Sequence, residues 1–403
     1  MIKHGSRLAS AAALALVPAT MAGPASMAGP QAPGAAPVAW VVNQSVRSAT
    51  KGSVTPIDTA TNTVTRKIPV SRNAIAVALT PGGKTAYAAL NAVRPAGRGS
   101  VVPVSTSTYR VGKPIKIPSI LPATMLVTPD GKTLYVGDWD SGFVTPIRTA
   151  TGTAGRRIAT GPIPGAVAMA ITPDGKTLYV VNQAPGTVTP IDTATNAAGR
   201  NIKVGAAPFA IVITPDGKTA YVLNLGQGGP GQGSVTPIDT ATNTAGAPIP
   251  IKHAAFPLAP NMMVITPDGK TLYAVGNTTV TPISTATNTA GTTIHVAPRL
   301  GTDSTVAITP DGRTVYVGGL SLRNTGNFVV PVSTATGAVG KAIVVRGDPY
   351  SMAVAPGGKT LYVLCDGNPG SAPQDVVPVS TATNTAGRAI DTGLQPVAIA
   401  ISR

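Results

Sequence analysis

Short runs of alternating apolar residues, separated by turns, fill the chain after residue 37 and predict β-strands. In residues 205–248, the run PFAIVIT is joined to the run TAYVLN by PDGK. Proline and glycine at these positions favour a tight turn, so the two runs form a hairpin. A glycine-rich loop leads to GSVTPIDTATN, and a last run, APIPIK, ends the unit. The pattern predicts four antiparallel strands in about 45 residues.

This unit recurs along the whole chain. Segments similar to TVTPIDTATN occur eight times. Their prolines are Pro56, Pro103, Pro146, Pro190, Pro237, Pro282, Pro331 and Pro378. A second marker of the form TPDGKTLYV recurs in step with them. Four short strands in a unit of this length are typical of a propeller blade, so the fold class is an all-β propeller.

The two ends of the chain predict a closed ring. VAWVVNQ at 38–44 matches the second strand of a unit, and PVAIAIS at 396–402 matches a first strand. Pairing of these ends completes one blade and removes exposed sheet edges. With this composite blade the chain has eight units, and seven blades are the alternative if one unit is irregular. We also expect strand pairing to be interrupted on one side of Pro190, because proline donates no hydrogen bond.

The N-terminal residues have the pattern of an export signal. Lys3 and Arg7 precede the apolar run 8–17, and small residues follow it. We therefore predict a signal peptide at 1–28, a flexible linker at 29–37 and the propeller at 38–403. No apolar run is long enough to span a bilayer, so the expected location is secreted or associated with the cell surface.

Charge and cysteine content limit the partners. Without Lys3 and Arg7 the remainder has 29 basic and 15 acidic residues, a net charge of +14. Such a charge favours anionic partners, although scattered basic residues also serve solubility. Cys365 has no second cysteine to pair with and is expected to be a packed thiol. We expect a monomer without a cofactor.

The segments LYVVN at 178–182 and AYVLN at 220–224, each behind TPDGKT, resemble YVTN-type β-propeller repeats. The resemblance covers residues 38–402 and implies a secreted or surface-associated bacterial propeller. Wider relatives of such repeats include surface-layer proteins, lactonases and electron-transfer or amine-oxidising enzymes. The proline of VTPID departs from the usual pattern. The repeat carries no agreed catalytic residue, so the resemblance implies no site.

Few residues are suited to catalysis. The residue content therefore argues against an enzyme but does not exclude one. Only His253 and His295 remain after the signal, which excludes metal centres built from several histidines. The chain contains no glutamate, so a lactonase would depend on aspartate alone. Eight aspartates belong to the repeated PDG and PID turns, where they bond their own backbone. The informative aspartates are those outside the repeat.

Variable loops between the second and third strands, and the crossovers between blades, share one face. The candidate ligand-binding residues on this face are Arg94, Arg98, Asp138, Trp139, Asp140, His253, Arg299, Asp303, Arg323, Arg346, Asp348 and Tyr350. In DWDSG at 138–142, Asp138 and Asp140 could ligate a hard cation, with Trp139 as a stacking surface. The segment lacks the third oxygen ligand and distal glutamate of a calcium loop.

The leading hypothesis is an exported binding or structural propeller for a cell-surface polymer, a protein or a small anionic ligand. The first alternative is a lactonase-type hydrolase with an aspartate-lined channel mouth. It requires at least two of Asp138, Asp140, Asp303 and Asp348 to converge with an arginine or His253 in one concave pocket there. The second alternative is an electrostatic polyanion or nucleic-acid binder. A shortage of aromatic residues for base stacking argues against specific nucleic-acid binding.

Overall fold

The computed structural model describes residues 37–45, 51–71, 73–92, 98–119, 121–162, 165–226, 233–251, 262–276, 278–296, 305–319, 327–366 and 374–402. These residues form eight antiparallel sheets, the blades of a β-propeller, as the sequence predicts. In seven blades the strands follow chain order from the inside outwards, and in the blade that joins the chain ends the C-terminal strand is innermost. The innermost strands of neighbouring blades contact each other.

The strands are numbered β1 to β37 in chain order. Blade 1 contains β1 (Val38–Asn43), β2 (Ser53–Asp58), β3 (Thr63–Val64), β4 (Ile68–Pro69) and β37 (Pro396–Ile401). Blade 2 contains β5 (Ala74–Leu79), β6 (Thr85–Leu90), β7 (Ser100–Ser105) and β8 (Ile115–Lys116). Blade 3 contains β9 (Pro122–Val127), β10 (Thr133–Asp138), β11 (Phe143–Arg148), β12 (Thr153–Ala154) and β13 (Ile158–Ala159). Blade 4 contains β14 (Ala166–Ile171), β15 (Thr177–Asn182), β16 (Thr187–Asp192), β17 (Ala197–Ala198) and β18 (Ile202–Lys203).

The second half of the ring repeats this arrangement. Blade 5 contains β19 (Pro208–Ile213), β20 (Thr219–Asn224), β21 (Gly233–Asp239), β22 (Thr244–Ala245) and β23 (Ile249–Ile251). Blade 6 contains β24 (Met263–Ile265), β25 (Thr271–Val275), β26 (Thr279–Ser284), β27 (Thr289–Ala290) and β28 (Ile294–His295). Blade 7 contains β29 (Thr305–Ile308), β30 (Thr314–Gly319), β31 (Asn327–Ser333) and β32 (Ile343–Val345). Blade 8 contains β33 (Asp348–Val354), β34 (Thr360–Asp366), β35 (Val376–Ser380) and β36 (Thr385–Ala386).

The ring closes in blade 1, where β37 pairs antiparallel with β1 and Trp40 lies opposite Ala400. At the end of this pair, Ser402 N donates to Val38 O at 2.9 Å and Val38 N donates to Ser402 Oγ at 2.8 Å. The predicted closure by the chain ends and the count of eight blades are therefore confirmed.

The repeated proline splits the outer strand of a blade. In blade 4, β16 pairs continuously with β15, and Pro190 lies opposite Tyr179. On its outer side, β16 pairs with two short strands, β17 and β18, that leave a gap at Pro190. Within the gap, Gly199 N donates to Pro190 O at 2.8 Å. The predicted interruption is confirmed, and blades 1, 3, 5 and 6 share it.

A tyrosine of the second strand links most blades to the next. Its hydroxyl donates to the asparagine that ends the TATN turn of the following blade. The pairs and their O···O distances are Tyr135–Asn196 (2.7 Å), Tyr179–Asn243 (2.6 Å), Tyr221–Asn288 (2.6 Å), Tyr316–Asn384 (2.7 Å) and Tyr362–Asn62 (2.6 Å). Each of these asparagines has a positive φ, which asparagine tolerates better than most residues. The two repeated motifs therefore hold neighbouring blades together.

Alanine, valine and isoleucine fill the space between blades, and the tyrosines of the second strands are among the largest buried side chains. Trp40 takes the tyrosine position in blade 1 and contacts Tyr109, with the ring centroids 6.1 Å apart. Cys365 is fully buried in this core, as expected of a packed thiol.

Antiparallel pairing assigns each connection to one of two faces. The turns between first and second strands, and between third and fourth strands, lie on what we call the turn face. The loops between second and third strands lie on the opposite side, the loop face, together with the crossovers to the next blade.

Candidate functional site

The structure describes seven of the twelve candidate ligand-binding residues. Arg94, His253, Arg299, Asp303 and Arg323 lie outside the described residues. The seven that can be placed are Arg98, Asp138, Trp139, Asp140, Arg346, Asp348 and Tyr350. Six of them form two groups on the loop face, one in blade 3 and one at the start of blade 8. The seventh, Arg98 of blade 2, is exposed.

Segment 138–142 of blade 3 is organised by the buried carboxylate of Asp138, which is 3% exposed. Oδ1 accepts hydrogen bonds from Leu121 N and Asp140 N, each at 3.3 Å, and Oδ2 accepts one from Ser141 Oγ. Both carboxylate oxygens are thus engaged by the segment and by the crossover that enters blade 3. The proposed cation ligation by Asp138 and Asp140 stays a prediction.

Trp139 is held at the seam between two blades. Its N donates to Leu121 O at 3.1 Å, and its O accepts from Gly165 N at 3.0 Å, so crossovers on both sides fix its backbone. Its partly buried side chain packs against core clusters from both halves of the ring. Gly142 has a φ of 63° and packs so closely on Gly161 that a side chain there would overlap the carbonyl oxygen.

Blade 4 shows what this position does elsewhere. Asn182, the equivalent of Asp138, donates from Nδ2 to Thr189 Oγ1 at 2.8 Å and so braces its own third strand. A carboxylate has no hydrogen to donate. Asp138 instead accepts backbone hydrogen bonds from the loop itself, which gives blade 3 a different loop of the same length.

The second group lies where the chain enters blade 8. Asn327 Nδ2 donates to Asp348 Oδ1 at 2.8 Å, and burial raises the pKa of the Asp348 carboxyl above its usual range. Arg346 is exposed, whereas Tyr350 is buried at 7% exposure. Burial also raises the pKa of the nearby Asp375, aided by Asp391 and opposed by Arg346 and Lys67.

Of the aspartates named in the lactonase hypothesis, Asp138 and Asp140 share one segment, Asp348 lies apart from them, and Asp303 lies outside the described residues. Asp138 and Asp140 belong to blade 3 and Asp348 to blade 8, with blades 1 and 2 between them. Among described residues, no group of three or more His, Cys, Asp or Glu side chains could hold a metal ion.

The lysines of the repeated turns form salt bridges on the turn face. The lysine Nζ lies 3.5–3.8 Å from Oδ2 of the aspartate two residues earlier in four turns, at Lys132, Lys176, Lys218 and Lys270. In blade 4, the hydrogen bond from Thr172 lowers the pKa of Asp174, with Lys176 adding to the effect. These exposed pairs are features of the turn.

Sequence analysis did not single out a groove on the outer wall, between blades 3 and 4. Its volume is about 1150 Å³, and Arg148, Arg156 and Arg157 line it. The Arg157 guanidinium lies 4.2 Å from the centre of the Phe143 ring. The available signal was the change from PID to PIR at Arg148, where other blades carry aspartate or serine.

Membrane-spanning helices do not occur in the described ranges, where no helix has the required length and apolar character. No family model matches the chain, and no curated protein matches it.

Solved structures do resemble it. Hydrazine synthase of Kuenenia stuttgartiensis is 26% identical, with a TM-score of 0.53, over 68% of this chain and 87% of that chain. Dihydro-heme d1 dehydrogenase NirN, in complex with DHE, is 14% identical, with a TM-score of 0.70, over 94% of this chain and 78% of that chain. A "putative 6-phosphogluconolactonase" from Bacteroides uniformis is 14% identical, with a TM-score of 0.57, over 91% of this chain and 99% of that chain.

At these identities the likenesses concern the fold. Together with the closed ring of eight sheets, they identify the chain as an eight-bladed β-propeller.

Proposed function

We propose that this chain is an exported binding propeller of the YVTN-repeat type whose ligand contacts the loop face around segment 138–142. The signal pattern at 1–28 supports export, and the repeat motifs support the family assignment. The candidate ligands are a cell-surface polymer, a protein or a small anion.

The observation that carries the proposal is the fixed geometry of segment 138–142. Its buried carboxylate accepts bonds from two backbone N–H groups, and crossovers on both sides hold the backbone of Trp139. A loop that is ordered before binding loses little conformational entropy when a ligand arrives. The repeated residues, in contrast, are occupied in bonding one blade to the next.

Blade 4 offers a matched control. NQAPG at 182–186 has the same length as DWDSG at 138–142, and both end in a glycine of similar φ, 65° at Gly186 and 63° at Gly142. Exchanging the blade 3 segment for the blade 4 sequence removes Asp138, Trp139 and Asp140 while keeping a loop that this fold already accommodates.

Thermal-shift measurements on the wild type and the exchange variant test the proposal, using divalent cations, neutral and acidic oligosaccharides, lactones and polyanions. We expect at least one compound to raise the Tm of the wild type and to leave that of the variant unchanged. No shift with any compound, or equal shifts in both proteins, would contradict a binding role for this segment. Consumption of a lactone by the wild type would favour the hydrolase alternative instead.

A further inference from the structure

The outer wall of blade 3 carries three arginines, of which Arg148 departs from the repeat, whereas Arg156 occupies a position that is basic in six of the eight blades. Arg148 occupies a position where the other blades have Asp58, Asp192 and Asp239, or Ser105, Ser284, Ser333 and Ser380. Blade 3 therefore replaces an acidic or neutral residue by a cation. The position of Arg157 is Lys67 in blade 1 and uncharged in the other six blades, which carry Pro114, Asn201, Pro248, Thr293, Ala342 and Ala389. Blade 3 is thus the one blade with a cation at all three positions.

Within the described part of the chain, Arg148, Arg156 and Arg157 form no salt bridge, and no aspartate lines their groove. All three side chains are exposed at its surface. An anion in the groove would supply a counter-charge that these arginines lack among the described residues. This arrangement differs from the turn face, where most lysines face their own aspartate.

The groove has features suited to recognition. The Arg157 guanidinium lies over the Phe143 ring, which favours this position by a cation–π contact. A planar guanidinium matches the two oxygens of a carboxylate or phosphate. A volume of about 1150 Å³ is much larger than one such group requires. Asn196 lines the wall opposite, and because its Oδ1 accepts the Tyr135 hydroxyl, its amide N–H groups are left as donors.

We propose that this groove binds a segment of an acidic polysaccharide, with its carboxylate or phosphate groups on the three arginines. Threonine side chains, including Thr151, line the groove and can exchange hydrogen bonds with sugar hydroxyls. Phe143, the aromatic residue of the lining, is covered by Arg157, so no free ring is available there for stacking a nucleic-acid base. The site lies on the side of the ring, and although Phe143 directly follows segment 138–142, no residue of that segment lines the groove.

Substitutions taken from other blades provide the test. Arg148→Ser, Arg156→Thr and Arg157→Ala introduce residues found at the equivalent positions Ser105, Thr292 and Ala342. The control is Arg200→Thr, which changes an exposed arginine at the same position of blade 4 as Arg156 in blade 3, outside the groove lining. Matched thermal unfolding would show that the variants are folded.

Binding is measured with the full chain by titration calorimetry at low ionic strength. The probes are polygalacturonate for carboxylate, phosphomannan for phosphate, methyl-esterified polygalacturonate as the neutral form, and a single-stranded oligonucleotide. We expect one or both acidic polysaccharides to bind, the neutral form not to bind, and the triple variant to lose about tenfold or more in affinity. The salt dependence of the remaining affinity should be shallower, because fewer counterions are exchanged.

Three results would overturn the proposal: no binding of either acidic polysaccharide, equal loss of affinity in Arg200→Thr, or tighter binding of the oligonucleotide. If the triple variant does not fold, Arg148→Lys serves instead, because it keeps the charge and loses the two-pronged contact. Affinity unchanged in Arg148→Lys would contradict a guanidinium site. The exchange of segment 138–142 should leave this binding intact, so failure of either proposal can be recognised separately.

Discussion

The hydroxyl group of Tyr179 provides a direct test of the bond between blades. It donates to Asn243 Oδ1 of blade 5 at 2.6 Å, and the side chain of Tyr179 is fully buried. In Tyr179→Phe the asparagine oxygen loses its donor while the apolar packing is kept. The bond is part-buried, because Asn243 is exposed, and its loss costs about 1.5 kcal/mol in free energy of unfolding.

That cost converts to a small but measurable change in Tm. Unfolding entropy is about 2.1 cal/mol/K per residue, or roughly 0.8 kcal/mol/K for a propeller of this length. One substitution should therefore lower the Tm by about 2 °C in scanning calorimetry. Because the five pairs lie far apart, their effects add, and replacing all five tyrosines should lower the Tm by roughly 10 °C.

Tyr87 is the matched control, because the following blade has Gly152 in place of the asparagine. Its side chain is buried at 3% exposure, yet its hydroxyl has no hydrogen-bond partner among the described residues. Tyr87→Phe should change the Tm by less than about 0.5 °C. An equal loss in Tyr87→Phe and Tyr179→Phe would show that the asparagine bond is not what stabilises the blade interface.

Two further predictions concern pH and close packing. Burial raises the pKa of Tyr135, Tyr179, Tyr221 and Tyr362 to about 12. Since an unfolded tyrosine titrates near pH 10, their stabilisation is complete below about pH 10 and is lost as the pH rises to about 12. Circular dichroism and tyrosinate absorbance should change together in that range, and ionisation near pH 10 in a folded protein would contradict the assignment. Gly165→Ala should lower the free energy of unfolding by about 2 kcal/mol, because the added methyl overlaps Gly142, whereas Gly82→Ala meets nothing within 4 Å and should have no such effect on the Tm.

The order of strands within a blade could be predicted because it depends on local pattern. Alternating apolar residues, the PDGK turn and the prolines at regular spacing all act within one unit, and the matching ends at 38–44 and 396–402 indicate closure. The role of the asparagine in TATN depends on the next blade. Tyr179 and Asn243 are 64 residues apart. Alignment of the repeats shows that both residues recur, but it does not show that they form a hydrogen bond.

The same limit applies to the candidate site. The sequence indicated that DWDSG differs from the equivalent loops of other blades. It did not indicate that the Asp138 carboxylate accepts hydrogen bonds from Leu121 N and Asp140 N. The groove beside Arg148 is formed by two adjacent blades. The sequence spacing of its three arginines does not show that they line one cavity. The signal that could have found the groove was Arg148, a cation at a position where the other units carry aspartate or serine.

The hydrogen bonds between Val38 and Ser402 also show what joins the two strands at the point where blade 1 has no connecting turn. In blade 2, Thr80 N donates to Thr85 O at 3.0 Å and Thr85 N donates to Thr80 Oγ1 at 3.1 Å, which is the same pair of bonds at the base of a complete turn. Blade 1 thus keeps the base of the hairpin and omits only the turn. Supplying a PDGK-like connection between Ser402 and Val38, and opening the chain at another such turn, would preserve every sheet. The order of the sheets around the ring therefore does not depend on which first hairpin lacks its turn.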